Sequence, residues 1–257
     1  MKKIVPVLLA VGALSVLLTG CPTGSLKNSV DIIALNNQLI DLIRQRDATP
    51  PPSADVMASL TSKLADISDT ARKEGDAAEA AAKPSAAASL YQIAAIAAWS
   101  AGPPTNNRLL SLSDKGISAC DKLPGGGAAQ SGDCVVLRLG PGLATLDSHA
   151  DAAERLNDLK RKLKPAELPT AIQTALDTAS TLKLVVDQHA AAASLPEDFE
   201  KVFQPNLRAR FCSLQGLVGL ISGSGVDTPT EERVGAAAFS AQEAMRGAGI
   251  ATTCKLQ

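Results

Sequence analysis

From Ser29 onward apolar residues recur every three or four positions, the spacing of a helix with one buried stripe. Ile32, Leu35, Leu39, Leu42 and Ile43 mark a first helix from Ser29 to Arg46, stopped by Pro50, Pro51 and Pro52. Ser53, a good N-cap, opens a second with Val56, Met57, Leu60, Leu64, Ile67 and Ala71, and Gly75 reads as its end or a kink. After Ala77 to Ala82, Pro84 starts a third helix, and the run from Ala86 to Ala101 holds Leu90, Tyr91, Ile93, Ile96 and Trp99 before Gly102-Pro103-Pro104. Apolar nearly all round, this helix is expected to be covered on several sides, with alanines that let its neighbours approach closely.

The pattern continues in the second half. Asn106 to Cys120 carries Leu109, Leu110, Leu112 and Ile117, and a glycine-rich loop follows. Val135-Val136-Leu137 reads as one turn of helix before a break at Gly140-Pro141-Gly142, with the next helix from Leu143 to Lys162. A helix from near Pro169 presents Leu168, Ile172, Ala175, Ala179, Leu182 and Val186, a seam too short for a coiled coil between chains and suited to a contact within the chain. The helix holding Phe199, Val202 and Phe203 is expected to bend or break before Pro205 and resume from Leu207 to Ile221. Thr228, Pro229 and Glu231 read as N-cap, first helical position and capping-box acid of a last helix to about Arg246. With no linker long enough to require two domains, residues 29–257 read as a single all-α domain, a multi-helix bundle or short α-solenoid of about eight helices.

Composition supports that class. The chain has 44 alanines and six aromatic residues among 257, little of the β-branched and aromatic material that strands use. Five cysteines are present. Cys120, Cys134, Cys212 and Cys254 form an even set that in an exported chain reads as two disulfides, with three possible pairings. The loop from Asp121 to Gly127 favours joining Cys120 to Cys134, which leaves Cys212 with Cys254. No C-x-x-C pair or zinc spacing is present, and His149 and His189 are too few for a histidine-rich metal site, so no cofactor is expected.

Residues 1–20 combine Lys2 and Lys3, the run IVPVLLAVGALSVLL and a small-residue end, the layout of a cleaved signal peptide. Leu18-Thr19-Gly20-Cys21 resembles the lipobox of bacterial lipoproteins, in which a lipid joins the cysteine thiol and cleavage makes that cysteine the new N-terminus. The resemblance implies lipid attachment at Cys21, residues 21–28 as a lipidated tether, and several acyl chains (palmitate among them) as a stable anchor. Pro22 in place of aspartate implies, by that family's sorting rule, the periplasmic face of the outer membrane. Removal of residues 1–20 leaves 23 basic against 26 acidic side chains, a net charge of −3, which argues against a nucleic-acid partner. The one basic cluster, Arg155 with Lys160, Arg161, Lys162 and Lys164, is expected in the last turn of a helix, where cations complement the dipole.

The stretch of residues 64–124, where the helix from Tyr91 to Gly102 is followed by that from Asn106 to Leu123 and by Pro124, resembles a degenerate tetratricopeptide hairpin, although Gly75 and Gly102 lie 27 apart rather than the 34 of that repeat. As implied by this resemblance, a concave helical face holds a partner's peptide or helix. Tyr91 and Trp99, about 80° apart around one helix, are candidate partner-binding residues, with core filling as the competing role. The expected function is a scaffold or accessory subunit for a periplasmic or outer-membrane protein. Two alternatives remain open: a cell-wall-acting enzyme using Glu74, Glu79 or Glu154 as acid, and a carrier of a small apolar ligand in a pocket lined by Ala and Leu.

Overall fold

In the computed structural model, residues 31–48, 50–102, 106–124, 132–192, 195 and 197–254 are described. Among them eight α-helices and no strand occur: α1 Ile32–Arg46, α2 Ala54–Ala80, α3 Pro84–Ser100, α4 Asn106–Asp121, α5 Gly132–Asn157, α6 Leu168–Ala190, α7 Glu197–Ser222 and α8 Thr228–Gly247. Each of α2 to α5 packs on its successor. α7 then returns to α5 and α6, and α8 lies mainly on α6. One hydrophobic cluster runs from Leu35 to Ile250 through every helix. α3 sits inside this stack against α1, α2, α4 and α5, so its all-round apolar sequence meets a neighbour on each side.

Three expected interruptions are absent, and all involve Gly or Pro. Gly75 lies within α2, because a Cβ there would come within 2.9 Å of the Tyr91 ring. Gly140-Pro141-Gly142 lies within α5. A Cβ at Gly140 would meet Ser113 Oγ at 1.8 Å, and one at Gly142 would meet Val185 at 2.8 Å. At these glycines α4 and α6 approach α5 closely, and the contact outweighs the local cost of Gly and Pro in a helix. α7 passes through Pro205 unbroken, and Asn206 Nδ2 donates to Val202 O at 2.7 Å in the same turn.

The remaining differences are at helix ends. α5 stops at Asn157, so Lys160, Arg161, Lys162 and Lys164 lie in the following connection rather than in a last turn. There Arg161 closes on Glu167 through bonds of 2.6 and 2.8 Å. At α8 the cap is Asp227, which accepts from Thr230 N at 3.1 Å, one residue before the threonine that the capping-box pattern selects. Asp31 caps α1 in the same way, accepting from Ile33 N. Cys120 is bonded to Cys134 and Cys212 to Cys254, the first tying α4 to the start of α5 and the second tying α7 to the segment after α8.

Candidate functional site

Tyr91 and Trp99 are core residues, 0% and 6% exposed, and neither forms a surface patch for a partner. The physical reason is the position of α3, whose whole circumference is covered. Tyr91 lies under Gly75 and turns its hydroxyl outward, donating to Asp76 Oδ1 at 2.7 Å with Glu79 Oε2 at 3.1 Å. Lys115 reaches the same Asp76 oxygen at 2.6 Å, and Lys122 reaches Glu79 Oε1 at 2.6 Å. Burial, reinforced by the Asp76 and Glu79 carboxylates, pushes the Tyr91 phenol far above its usual range. Burial works against ionisation of Asp76, yet the Lys115 and Tyr91 hydrogen bonds hold its carboxyl below the usual range. The Lys122 hydrogen bond, followed by that of Tyr91, does the same for Glu79. The cluster therefore clamps α2, α3 and α4 with fixed charges and a phenol that remains a donor.

Trp99 anchors a second network. Its indole Nε1 donates to Asp147 Oδ2 at 2.9 Å, and Arg210 Nε donates to Asp147 Oδ1 at 2.8 Å, linking α3, α5 and α7. Asp147 is 5% exposed. Burial pushes its carboxyl up, while the Arg210 charge and the two hydrogen bonds pull it down. Against Trp99 lie Phe199 and Phe203, with ring centres 6.1 and 6.3 Å away. The His189 ring stacks on Phe203 at 4.4 Å, and its Nε2 lies 2.7 Å from Glu200 Oε1. Both Asp147 oxygens hold donors, so the group acts as a bracket between helices. Sequence reasoning missed Asp147 and Arg210, although a carboxylate on the same face as Leu143, Leu146 and Ala150 was a visible signal.

The open surface lies elsewhere. A groove of about 630 Å³ runs along the outer side of α7, bordered by Glu200, Lys201, Gln204, Arg208 and Cys212 on successive turns and by Ala251 and Thr253 of the C-terminal segment. Arg208 Nε donates to Thr253 O at 2.8 Å and holds that segment in place. A second groove of about 420 Å³ lies between α1 and α2, with Leu35, Leu42 and Ile67 at its base and Asp41, Lys63 and Asp66 at its edges.

Of the acids expected to suit catalysis, Glu79 belongs to the Tyr91 clamp, Glu74 is half-buried on α2 and Glu154 is exposed on α5. Among the described residues no group of three His, Cys, Asp or Glu side chains gathers as metal ligands, and no helix is long and apolar enough to cross a membrane. Cys21 lies outside the described residues. No family model, no curated protein and no solved structure matches the chain.

Proposed function

We propose that the chain is a bacterial envelope lipoprotein, held through acylated Cys21 on the periplasmic face of the outer membrane, whose helical domain is a non-catalytic scaffold or accessory subunit for a protein partner. The signal-peptide layout before Leu18-Thr19-Gly20-Cys21 supports the anchor. Two disulfides fit an oxidising compartment. One observation carries the scaffold reading: the acids placed inside the fold are closed by partners, while the open grooves are edged by mixed charges and amides. Glu79 is held below the usual range, the opposite of what a glutamate acid needs. Asp147 has both oxygens occupied. The grooves beside α7 and α1 have charged borders, unlike the Ala- and Leu-lined enclosure that an apolar carrier requires.

The test is affinity purification of the tagged, lipidated protein from cross-linked, detergent-solubilised envelopes, followed by mass spectrometry. A single protein recovered in stoichiometric amount is the expected result, and recovery of the chain alone or with glycan fragments overturns the scaffold reading. For the anchor, Cys21→Ser is expected to move the protein from the membrane pellet to the soluble fraction with its helical circular dichroism unchanged. Retention of that variant in the pellet refutes lipid attachment at Cys21.

A further inference from the structure

We propose that Cys212–Cys254 is a thiol–disulfide exchange site, opened by a dithiol reductant that enters the groove along α7 and attacks Cys212, freeing the C-terminal segment. The proposal goes beyond the scaffold reading and stands whether or not Cys21 carries lipid.

The two disulfides differ in what surrounds them. Cys120 and Cys134 are each 0% exposed and sit between α4 and α5, so a reagent reaches their sulfurs only after those helices part. Cys212 and Cys254 are both half-buried, and Cys212 borders the open groove. The groove thus gives a thiolate an approach to one sulfur of the pair, and access is a main determinant of exchange rate.

The far side of the bond is attached to a lightly held strap. α8 ends at Gly247, and the chain turns at Gly249, whose φ of +73° lies in the left-handed region. Ile250 is then buried in the core. Residues 251–254 leave the helix and are held by the disulfide and by the Arg208 bond to Thr253 O. Arg208 stands one turn before Cys212 and bonds the carbonyl of Thr253, the residue before Cys254, so a guanidinium stands beside the strap that carries Cys254. A nearby guanidinium favours the thiolate and makes that sulfur the better leaving group.

The chemistry balances with a dithiol as the one co-reactant. Its thiolate attacks Cys212 Sγ, the Cys212–Cys254 bond breaks, and the electron pair leaves on Cys254 Sγ, which takes a proton from water. The mixed disulfide on Cys212 is resolved by the reductant's second thiolate, which bonds to its own partner sulfur and expels Cys212 as a thiolate that is protonated in turn. The dithiol loses two electrons and becomes a disulfide, and the protein gains two thiols. With the bond open, the Arg208 bond to Thr253 O still joins the strap to α7, and one wall of the groove is loosened. The oxidation state of the pair thereby sets the surface that α7 presents.

The test uses the folded full-length protein in dithiothreitol over graded times, with acid quenching, alkylation and mapping of the labelled cysteines by mass spectrometry. Cys212 and Cys254 are expected to become labelled at least ten-fold faster than Cys120 and Cys134, with helical circular dichroism retained. In parallel, the monothiol glutathione is expected to leave its adduct on Cys212, and hydrogen exchange is expected to rise at residues 251–254 while α7 stays protected. Equal rates for the two pairs, or a Cys212–Cys254 rate that follows global unfolding in urea, overturns the proposal. So do an adduct on Cys254 and unchanged exchange of the strap after reduction.

Discussion

Arg210→Leu isolates the energetics of the Trp99–Asp147–Arg210 bracket. The substitution keeps an apolar stem against the helices and removes the guanidinium that lies 2.8 Å from Asp147. Asp147 then stays buried with only the Trp99 N–H as a donor. Breaking a buried pair from one side costs about 3–5 kcal/mol, and the partial exposure of Arg210 places the cost near the lower end, about 3 kcal/mol. Asp147→Asn leaves an acceptor for Trp99 and an arginine that can reach water, so its cost is about 1–2 kcal/mol. The double variant strands no charge and is expected to be more stable than Arg210→Leu alone, with a coupling of about 1.5–3 kcal/mol. Urea unfolding followed at 222 nm near pH 7 measures all four proteins. The sign with pH is a further check. Burial raises the Asp147 carboxyl, and loss of Arg210 removes the main opposing influence, so the folded variant binds a proton where the unfolded chain does not. Its stability relative to the parent therefore rises as pH falls from about 7 toward the unfolded carboxyl's range. A cost below about 1 kcal/mol for Arg210→Leu, a double variant no more stable than the single, or parallel pH profiles would refute the reasoning.

Glycine positions separate close contacts from spare flexibility. Gly140→Ala is expected to destabilise by roughly 1–3 kcal/mol through its clash with Ser113, whereas Gly219→Ala, with nothing near its Cβ, is expected to stabilise by roughly 0.5–1 kcal/mol, both read from urea midpoints. Asp227→Ala is expected to lower the thermal unfolding midpoint and Thr228→Ala to leave it almost unchanged; the reverse order would move the cap of α8 back to the threonine. Glu167, held down to about 2 mainly by the Arg161 hydrogen bond and then by the Lys164 N–H, has a folded pKa below its ordinary 4.5. Its stabilising contribution is present above about 4.5 and is lost as pH falls toward 2, so Glu167→Gln should flatten that part of the acid unfolding profile, and an unchanged slope would count against the pairing.

The apolar stripes and the Ala-rich core helix were legible because helical period depends only on residue type and spacing. α3, with Pro84 at its start and Trp99 near its end, lies where the pattern places it. What local rules misread were residues whose role is set by a distant contact. Gly75, Gly140 and Gly142 carry the same letter as a helix breaker, and only the opposing Tyr91, Ser113 and Val185 reveal them as points of close approach. Pro141 and Pro205 suggest a bend or break because sequence does not display the surrounding helices that hold α5 and α7 together. Charge behaved similarly. Arg161 pairs with Glu167 six residues on rather than serving a helix end. Asp147 was a polar residue in an apolar stripe, a visible anomaly whose partners Trp99 and Arg210 lie 48 and 63 residues away. The groove along α7 has no sequence signal, since its other wall, Ala251 and Thr253, belongs to the segment after the next helix.

The chain's single tryptophan sits at that bracket, which gives the protein a built-in optical probe. Its indole is enclosed by Phe199 and Phe203 and bonded to a carboxylate from another helix, so its emission reports the junction of α3, α5 and α7 and no other part of the molecule. A fluorescence change without loss of helical signal would mark that junction loosening while the helices persist. Coincidence of the two signals would show that this junction and the helices come apart in one cooperative step.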